Sequence, residues 1–552
     1  MPTEPSHSPV PGRPVVIVGG GPVGLTLAAL LSHLGVRSIV VEADAGYCTG
    51  SRAICISRRS LEILGWTGAH RRVGEIGLPW VGGRSYWRET EVLHFRMPSE
   101  PGERFPPMVN IQQYEVEEAA HRSIADGLAE VRWSTRVTSL RDTAGGVEVD
   151  VVDAHGVATT LAADWVVACD GGRSTVRDAL GLQLRGIQYD GRYVIVDIAQ
   201  ETRRDVERLA WFDPPSNPGS TILMHRQPGG VWRIDYQIRD DEDPAEAVDP
   251  KNVLPRVQSH LTMIGETAPW TPLWISIYNA KCLTLDDYRH GRVLFAGDAA
   301  HLVPIFGVRG LNSGLDDAGN LAWKLAAVIR GAASEALLDG YTHERLHAAR
   351  ENIAYGAKST EFMAPPHFGF RLMREATLRL ATESDAIRSL INPRQSAPVA
   401  YPPGPADDDR MADPLVGRPA PDARVHVDES SDGAVAAHLS EWFGHRFAVL
   451  VFGDGDRPPW DASAVDAVTL RIRSPEVSAI SATSPVLVDT FGEARARYGA
   501  RDGHTVLVRP DGYVAACWAT PHADAVRAAI ARVLDPAPVA VGRFAEALDG
   551  RG

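Results

Sequence analysis

The feature that most constrains this chain is a glycine motif near its start. The motif, Gly19-x-Gly21-x-x-Gly24, stands between an apolar run at residues 15–18 and a predicted helix from Pro22 to Leu34. A second apolar run at residues 38–41 follows, so the chain opens as strand, turn, helix and strand. Glycines let the backbone turn tightly and approach a pyrophosphate, which then lies on the N-terminal amides of the helix. This opening predicts a dinucleotide-binding unit of α/β type.

An acidic residue adds to this pattern. Glu42 stands at the end of the second apolar run, where its carboxylate can accept hydrogen bonds from an adenosine ribose. The motif alone does not distinguish FAD from NAD. The stretch from Val15 to Leu31 is nearly free of polar side chains, but its glycine interruption would leave backbone groups unsatisfied in lipid. We therefore do not predict a membrane span there.

Two later apolar runs end in turns that contain an aspartate. Asp170 follows the run at 164–169 and opens the stretch D-G-G-R-S-x-V-R. Asp298 follows the run at 292–296, within G-D-A-A-H-x-x-P. This second stretch continues through the glycine-rich residues 307–314 into a predicted helix at 315–329.

Together the three motifs resemble the fingerprints of the class A (single-component) flavoprotein monooxygenases, the para-hydroxybenzoate hydroxylase and phenol hydroxylase family. The resemblance covers roughly residues 14–400. It implies an α/β fold, with a glutathione-reductase-type Rossmann FAD-binding domain and an inserted antiparallel-sheet substrate domain. It also implies that the first motif binds the ADP half of FAD, that the Asp170 motif serves FAD and NAD(P)H, and that the Asp298 motif holds the ribityl chain.

Elementary chemistry agrees with these implied roles. A carboxylate at Asp298 can accept hydrogen bonds from ribityl hydroxyls, and amides at the helix entry can face the flavin N1/C2 edge, which becomes negative on reduction. One departure concerns Val308-Arg309, where many family members have Gly-Gln. It bears on the loop over the flavin, and an Arg309 that faces the flavin would favour the reduced anion.

The resemblance carries further FAD contacts onto the segment around Arg52 and onto a helix start at Gln113, which we choose over its neighbour Gln112. An arginine suits a pyrophosphate because its planar fork binds phosphate at two points. The predicted cofactor-binding residues are Gly19, Gly21, Pro22, Val23, Gly24, Glu42, Ala43, Arg52, Gln113, Val137, Asp170, Asp298, Gly310, Leu311 and Asn312.

Between the second and third motifs, several runs predict a mostly antiparallel sheet. From residue 231 to residue 238 the side chains alternate, with Trp232, Ile234, Tyr236 and Ile238 on one face and Arg233, Asp235 and Gln237 on the other. The predicted substrate contacts are His225, Arg233 and Tyr236, and the predicted catalytic residues are His301, Pro304, Tyr236 and Tyr278. Packing is the alternative role for each, since strand tyrosines commonly pack within sheets.

A separate unit follows a proline- and aspartate-rich stretch at residues 402–409. Its apolar runs and closing amphipathic helix resemble the thioredoxin-like tail of phenol hydroxylase relatives, but Gly453 to Asp456 stand where a redox thioredoxin has C-x-x-C. We therefore predict a structural or oligomer-forming tail. The predicted units are 14–185 and 280–400 for the FAD-binding domain, 186–279 for the substrate-binding sheet domain, 401–416 for the linker and 417–535 for the thioredoxin-like domain lacking C-x-x-C.

The charge and the cysteines limit the partners. The net charge of −14 argues against nucleic acid or an anionic membrane as a partner. Five cysteines without C-x-x-C spacing indicate a reducing cytoplasm, and no group of His, Cys and Asp has metal-ligand spacing, so no metal is predicted. The expected partners are a small aromatic substrate and O2, and a homodimer is a candidate assembly.

The resemblance implies an enzyme with FAD and NAD(P)H as cofactors. NAD(P)H would reduce FAD, O2 would add at flavin C4a, and the hydroperoxide would transfer OH to a phenolic or other aromatic ring. Two alternatives stay open: a same-fold oxygenase acting on a polyketide-type substrate by Baeyer–Villiger oxidation or epoxidation, and a non-oxygenating flavoprotein. A flavin halogenase is disfavoured because the sequence has no W-x-W-x-I-P stretch. The individual substrate and the choice between NADH and NADPH do not follow from the sequence.

Overall fold

A computed structural model describes residues 10–239, 241–391, 395–402, 413–427, 435–454, 465–475 and 486–536. The elements of its first third are β1 (Val15–Val18), α1 (Pro22–His33), β2 (Ser38–Val41), β3 (Cys55–Ser57), α2 (Arg58–Gly65), α3 (His70–Ile76), β4 (Leu78–Trp80), β5 (Gly82–Trp87), β6 (Thr90–Arg96), β7 (Met108–Asn110), α4 (Gln113–Arg122), β8 (Ala129–Arg132), β9 (Arg136–Thr143), β10 (Gly146–Val152), β11 (Ala158–Ala163), β12 (Val166–Ala168) and α5 (Thr175–Ala179).

The middle of the chain is mostly strands, and the remainder is helical before it returns to mixed structure. The middle elements are β13 (Arg185–Gln200), β14 (Arg208–Phe212), β15 (Thr221–Gln227), β16 (Val231–Gln237), α6 (Pro244–Ala247), α7 (Pro250–Met263), β17 (Trp270–Thr284), β18 (Arg289–His290), β19 (Val293–Phe295) and β20 (His301–Leu302). The remaining elements are α8 (Gly310–Ile329), α9 (Ala336–Met363), α10 (Phe368–Ala381), α11 (Asp385–Arg388), β21 (Arg424–Val427), β22 (Val435–His438), β23 (Ala448–Phe452), β24 (Val468–Arg473), β25 (Val486–Val488), α12 (Glu493–Tyr498), β26 (Thr505–Val508), β27 (Val514–Trp518) and α13 (Ala523–Leu534).

The glycine motif follows the carboxyl end of β1, an inner strand of a mostly parallel sheet. The strand order of this sheet is β18-β19-β12-β1-β2-β8. Strand β1 pairs in parallel with β2 on one side and with β12 on the other. All four β1 residues are buried, as expected for a parallel strand that is covered on both faces. The predicted strand-turn-helix-strand opening is confirmed, with α1 ending one residue earlier than predicted.

Close backbone contacts explain why the motif requires glycines. Gly19 has a φ of +106°, and a Cβ there would lie 2.4 Å from the carbonyl oxygen of Cys169. A Cβ on Gly24 would lie 2.0 Å from the carbonyl oxygen of Gly19. A Cβ on Gly314 of α8 would lie 2.6 Å from the side chain of Val23, so α8 packs tightly against α1. These contacts bring the starts of α1 and α8 to the same region of the sheet.

A second sheet, of order β20-β17-β13-β16-β15-β14-β5-β6, contains the predicted antiparallel strands. Its outer face carries Trp232, Ile234 and Tyr236, which pack in one apolar cluster with residues of α7. We refer to the opposite side, defined by Tyr193, Arg208, His225, Arg233 and Asp235, as the inner face. The inner face meets residues 51–57 of the first unit, because Arg233 donates a hydrogen bond to the Arg52 carbonyl oxygen and Ser51 Oγ donates to Asp197 at 2.8 Å.

The C-terminal unit forms a sheet of order β22-β21-β25-β24-β23-β26-β27. Strands β23, β24 and β25 are parallel, whereas β26 and β27 are antiparallel to their neighbours. The ring of Phe447 contacts Trp323 of α8 edge-on at 5.9 Å between centroids, so this unit packs directly against α8. Most of the predicted linker, and the last two residues of the segment from Gly453 to Asp456, lie outside the described residues. Within the described part of the chain, no helix combines the length and apolar character needed to cross a bilayer.

Candidate functional site

The start of α1 fits a pyrophosphate. Gly21 is the N-cap of α1, and Pro22 occupies its first turn, so no side chain caps the free amides. A Cβ on Gly21 would meet no atom within 4 Å, which leaves that side of the turn open. Glu42 lies beside the turn, where its carboxylate accepts hydrogen bonds from Gly20 N at 2.6 Å and Asp44 N at 2.8 Å. Exposed helix-start amides beside a carboxylate are the donor and acceptor set that an adenosine diphosphate group needs.

Asp170 stands directly after β12 with half of its carboxylate unused. Its Oδ2 accepts a hydrogen bond from Val176 N at 3.1 Å, whereas the buried Oδ1 has no hydrogen-bond partner among the described residues. Desolvation raises the pKa of this carboxyl group, which backbone and Ser174 hydrogen bonds partly offset. A buried oxygen without a donor is costly, so a hydroxyl from a ligand fits here.

Asp298 lies in the short 3-10 turn Gly297–Ala299, after β19. Asp298 is exposed to solvent. Many protein atoms nevertheless surround its carboxyl group, and the resulting desolvation raises its pKa. Tyr278 on β17 is close enough that burial first, and then the charge of Asp298, raises the pKa of its phenol. Asp298 thus lies near the phenol of Tyr278, where its carboxyl group could accept hydrogen bonds from ligand hydroxyls.

Helix α8 begins at Gly310, five residues before the predicted start. Its first-turn amides, from Gly310 to Asn312, have no carbonyl partner within the helix. The Asn312 side chain is fully used, since it accepts from Ser57 N at 2.8 Å and donates to the Cys55 carbonyl oxygen at 3.0 Å. Only the backbone of Asn312 is thus available to a cofactor. The predicted residues Val23, Gly310 and Leu311 are half-buried at this point of the structure.

Val308 and Arg309, which stand where many family members have Gly-Gln, immediately precede α8. Val308 has a φ of +53°, a left-handed conformation that a β-branched residue rarely adopts, at the position where many family members have glycine. The Arg309 guanidinium donates to Asn352 at 2.9 Å and lies over the ring of Tyr355, so its side chain contacts α9. These contacts do not favour the arrangement considered above, in which Arg309 faces the flavin.

The loop that carries Arg52 is held by hydrogen bonds to β13, β16 and α4. Arg52 is exposed and has a φ of +45°. Gln113 Oε1 accepts a hydrogen bond from Ala53 N at 3.2 Å, and Gln113 Nε2 donates to Glu117 at 2.9 Å. Gln112 instead reaches the carbonyl oxygen of Pro228 at 3.3 Å. Gln113, rather than Gln112, thus supports the loop, and the exposed Arg52 side chain donates from Nε to the Thr49 carbonyl oxygen at 3.3 Å.

The inner face gathers buried charges that the sequence analysis only partly identified. Arg233 pairs with Asp235 at 2.8 Å, and His225 Nδ1 lies 3.9 Å from Cys55 Sγ. Arg208 was not predicted, although it shares this face and is only 3% exposed. Strand alternation could have identified Arg208, because it shares a face of β14 with Ala210 and Phe212, whereas Leu209 and Trp211 lie on the outer face.

The structure separates Tyr236 from the other predicted substrate contacts. Tyr236 lies on the outer face, where the guanidinium of Arg256 is 5.5 Å from its ring centroid. Alternation along β16 places it opposite Arg233, so it is removed from the substrate contacts proposed below. Tyr193, which was not predicted, takes an inner-face position and meets Phe306 edge-on at 5.1 Å between ring centroids.

His301 and Pro304 are both buried. His301 Nε2 lies 2.7 Å from Asp317 Oδ2, within an ion-pair network rather than on the inner face. Pro304 packs on α9, where a Cβ on Gly356 would lie 2.6 Å from its ring. Val137 on β9 is part of the apolar core, and Ala43 is half-buried after Glu42.

Two family models match this chain in order. The model described as "FAD binding domain" matches residues 13–355. The model described as "Aromatic-ring hydroxylase, C-terminal" matches residues 413–537. The chain belongs to the FAD-dependent aromatic monooxygenases. FAD is therefore the cofactor, NAD(P)H is the reductant typical of the family, and the reaction is hydroxylation of an aromatic substrate.

Relatives of this monooxygenase have similar length. It is 28% identical over 534 residues to the 3-(3-hydroxy-phenyl)propionate/3-hydroxycinnamic acid hydroxylase of Mycolicibacterium smegmatis, covering 91% of this chain and 90% of the relative. It is 30% identical over 459 residues to the enzyme of the same name from Mycobacterium sp. strain JLS, covering 82% and 78%.

Two solved structures are similar over nearly the whole monooxygenase chain. The flavin-dependent monooxygenase PieE has a TM-score of 0.77 at 23% identity, covering 96% of this chain and all of that one. The OxyS anhydrotetracycline hydroxylase from Streptomyces rimosus has a TM-score of 0.68 at 28% identity, covering 95% and 99%. PieE supports the fold alone, and OxyS bears on the substrate question below.

Bound FAD supplies the oxygen chemistry, and this chain's residues position the reactants. The α1 amides would hold the pyrophosphate, while Asp298 would accept from the ribityl chain. The amides at the start of α8 would carry partial positive charge toward the flavin ring. The inner face would then bind the aromatic substrate and exclude water from it.

Proposed function

We propose that this monooxygenase hydroxylates a phenolic compound that carries a negatively charged group, such as a phenylpropanoid acid. Arg208 is the observation that carries this proposal. Its Nη1 is buried and has no hydrogen-bond partner among the described residues. Desolvation lowers the pKa of Arg208 to about 10, although the nearby groups Cys55 and Asp235 favour its charge. A buried guanidinium nitrogen without an acceptor is costly, and an anionic ligand would supply that acceptor.

The surroundings of Arg208 suit an aromatic acid. Burial, and then the charges of Arg208 and Arg233, lower the pKa of His225 well below its usual range, which favours the uncharged imidazole. Apolar residues of the same layer, including Leu223 and Phe306, belong to one cluster that can contact a ring. The named relatives act on 3-(3-hydroxyphenyl)propionate and 3-hydroxycinnamic acid, whose side chains end in a carboxylate.

The second candidate is a polycyclic, polyketide-type substrate. OxyS, which is 28% identical to this chain over nearly its whole length, is named for anhydrotetracycline. Such a substrate would place several fused rings on the inner face. The reaction with such a substrate would be hydroxylation, epoxidation or Baeyer–Villiger oxidation, each of which adds one oxygen atom.

The experiment compares three ligands with one enzyme. NADH and NADPH oxidation would be measured with 3-(3-hydroxyphenyl)propionate, with 3-ethylphenol, which lacks the carboxylate, and with anhydrotetracycline. Product NMR would identify the site of oxygen insertion. Preference for the acid supports the proposal, whereas preference for anhydrotetracycline supports the second candidate. A lack of stimulation by all three compounds would contradict both.

Arg208 provides a sharper comparison. Arg208→Gln should lower kcat/KM for the acid by about tenfold to hundredfold, as expected for a hydrogen bond to a charged group, and should leave 3-ethylphenol unaffected. Arg84→Gln, on the neighbouring strand β5, is the matched control because Arg84 pairs with Glu91 and Glu207 at the surface. Equal losses for both ligands would contradict a carboxylate contact.

The remaining site assignments are also proposals. We propose that the fifteen predicted cofactor-binding residues line the FAD site, with the Asn312 contribution coming from its backbone. We propose Tyr278, His225, Arg233, Arg208 and Tyr193 as the residues nearest the substrate. The predicted domain boundaries, a thioredoxin-like tail without redox function, a homodimer and a cytoplasmic location complete the proposal; the lack of C-x-x-C supports the tail's assignment.

A further inference from the structure

The C-terminal unit brings together three side chains that the reaction does not use. Asp413, His504 and Cys517 each offer one donor atom, and these atoms lie within 4.8 Å of one another. The three residues are half-buried, so ions can reach them from solvent. Their separations of 91 and 13 positions explain why the sequence analysis found no metal-ligand spacing.

The strand register places two of these donors side by side. Cys517 on β27 pairs with Val506 on β26. His504 precedes Val506 by two residues, so its side chain lies on the same face of the hairpin, diagonal to Cys517. The His504 ring also packs on Phe452, with 6.1 Å between ring centroids. The imidazole is therefore held beside the thiol by both the hairpin and the core.

Backbone hydrogen bonds hold the third donor beside them. The segment after Asp413 is bound to β27, because Gly417 N donates to the Val514 carbonyl oxygen at 2.9 Å and Val514 N donates to that of Arg418 at 2.8 Å. Asp413 Oδ1 accepts from Leu415 N at 2.9 Å. Its Oδ2 is directed to the cluster and lies 4.0 Å from His504 Nε2.

The cluster has the donor chemistry of a transition-metal site. Sulfur, imidazole nitrogen and carboxylate oxygen together suit Zn²⁺, whereas Mg²⁺ and Ca²⁺ prefer oxygen donors alone. Zn²⁺ binds such ligands at about 2.0–2.3 Å, so its ligands stand roughly 3.5 Å apart. The observed separations require only a small inward movement of the side chains. His504 Nε2 is the nitrogen that faces Asp413, and Nδ1 is buried with no hydrogen-bond partner among the described residues.

We propose that Asp413, His504 and Cys517 form a Zn²⁺ site in the C-terminal unit of this monooxygenase. The three side chains supply three ligands, and water completes a tetrahedral arrangement. Binding converts the Cys517 thiol to a thiolate and releases one proton to solvent, with no change of oxidation state. The ion would join the segment at Asp413 to the β26–β27 hairpin.

The first test is calorimetry with full-length holoenzyme that has been treated with EDTA, dialysed and freed of any affinity tag. One Zn²⁺ per chain should bind with a Kd at or below about 1 µM. Cys517→Ser and His504→Gln should each weaken binding by more than about 100-fold, since even residues that only support metal ligands contribute 10- to 100-fold. His426→Gln, a histidine on β21 of the same sheet, and Cys282→Ser are matched controls and should bind Zn²⁺ as the unmodified protein does.

A second measurement needs no substitution. Zn²⁺ should protect Cys517 from alkylation by iodoacetamide in the native holoenzyme, and EDTA should remove that protection, as read by peptide mass spectrometry. Turnover with aromatic substrate should be the same with and without Zn²⁺, because the cluster does not touch the flavin-binding residues. Unchanged affinity in Cys517→Ser and His504→Gln, or alkylation of Cys517 that Zn²⁺ does not affect, would overturn the proposal.

Discussion

His301 Nε2 donates a hydrogen bond to Asp317 Oδ2 at 2.7 Å, and both side chains are completely buried. The other carboxylate oxygen of Asp317 accepts from Arg345 at 2.6 Å, and Arg345 also pairs with Asp316 at 2.8 Å. Asp316 in turn pairs with Arg59, whose guanidinium donates to the Asp511 carbonyl oxygen of the C-terminal unit at 2.5 Å. A continuous network thus runs from the turn behind Asp298 to the C-terminal unit.

The network predicts that Asp317 is indispensable for stability. Asp317→Asn would leave Arg345 buried without full charge compensation, which should lower the free energy of unfolding by about 3 kcal/mol. Asp339→Asn is the control, because Asp339 forms an exposed pair with Arg289 and should change stability by less than about 0.5 kcal/mol. Urea denaturation of both holoenzymes measures the difference, and similar losses in the two variants would show that the buried network contributes little.

Asp298 should determine how tightly FAD is retained. Purified protein should be yellow with one noncovalent FAD per chain. Asp298→Ala removes an acceptor for ribityl hydroxyls, so the FAD dissociation constant should rise by about tenfold to hundredfold, or roughly 1.5–3 kcal/mol. Fluorescence titration of the apoprotein measures this constant. The control is Asp385→Ala, whose side chain is 93% exposed on α11; full FAD affinity in Asp298→Ala would refute the ribityl assignment.

Glu62 should make stability depend on pH near neutrality. Burial raises its pKa to about 7 from 4.5, although Arg59 at 3.2 Å favours the charged form. The folded state therefore binds this proton more tightly than the unfolded state does. The stabilisation is complete below about pH 4.5 and is lost as the pH rises through about 7.

Glu62→Gln removes this titration. From pH 5 to pH 8 the free energy of unfolding should fall less in the variant than in the unmodified protein. The two decreases should differ by about 2 kcal/mol. Chemical denaturation at both pH values gives the comparison, and the control is Glu118→Gln, because the half-buried Glu118 pairs with the exposed Arg122. Parallel pH profiles for Glu62→Gln and the unmodified protein would mean that Glu62 is ionised equally in both states.

The sequence predicted the parts of the site that depend on local chain geometry. The glycine turn, the turns at Asp170 and Asp298 and the alternation along β16 all follow from neighbouring residues. It did not predict the direction of Arg309, because the acceptor on Asn352 is 43 positions away. Nor did it predict which face of β16 is the inner one, since apolar and polar faces are both buried. The sequence also did not predict the ion pairs that Arg345 forms with Asp316 and Asp317. Nothing in the neighbouring residues distinguishes a paired carboxylate from an unpaired acid at the start of a helix.

Substrate should control flavin reduction. Flavin reduced without a substrate to hydroxylate would waste NAD(P)H, so we expect the flavin to be reduced quickly only when an aromatic ligand is bound. Here Phe306 and Val308 stand in the loop from Pro304 to Arg309, which precedes α8, and Phe306 contacts Tyr193 of the inner face. A ligand on the inner face would therefore reach the loop that borders the flavin.

We expect NAD(P)H to reduce the ligand-free enzyme slowly, and a bound phenolic ligand to accelerate reduction at least about tenfold, or about 1.4 kcal/mol of barrier. Anaerobic stopped-flow absorbance of the flavin measures both rates. Hexanoate is the matched control, because it carries a carboxylate for Arg208 but no ring for the loop to contact. Acceleration by hexanoate equal to that by 3-(3-hydroxyphenyl)propionate would show that charge alone triggers reduction. If no aromatic compound in a broad panel accelerates it, the inner face and the loop are not coupled.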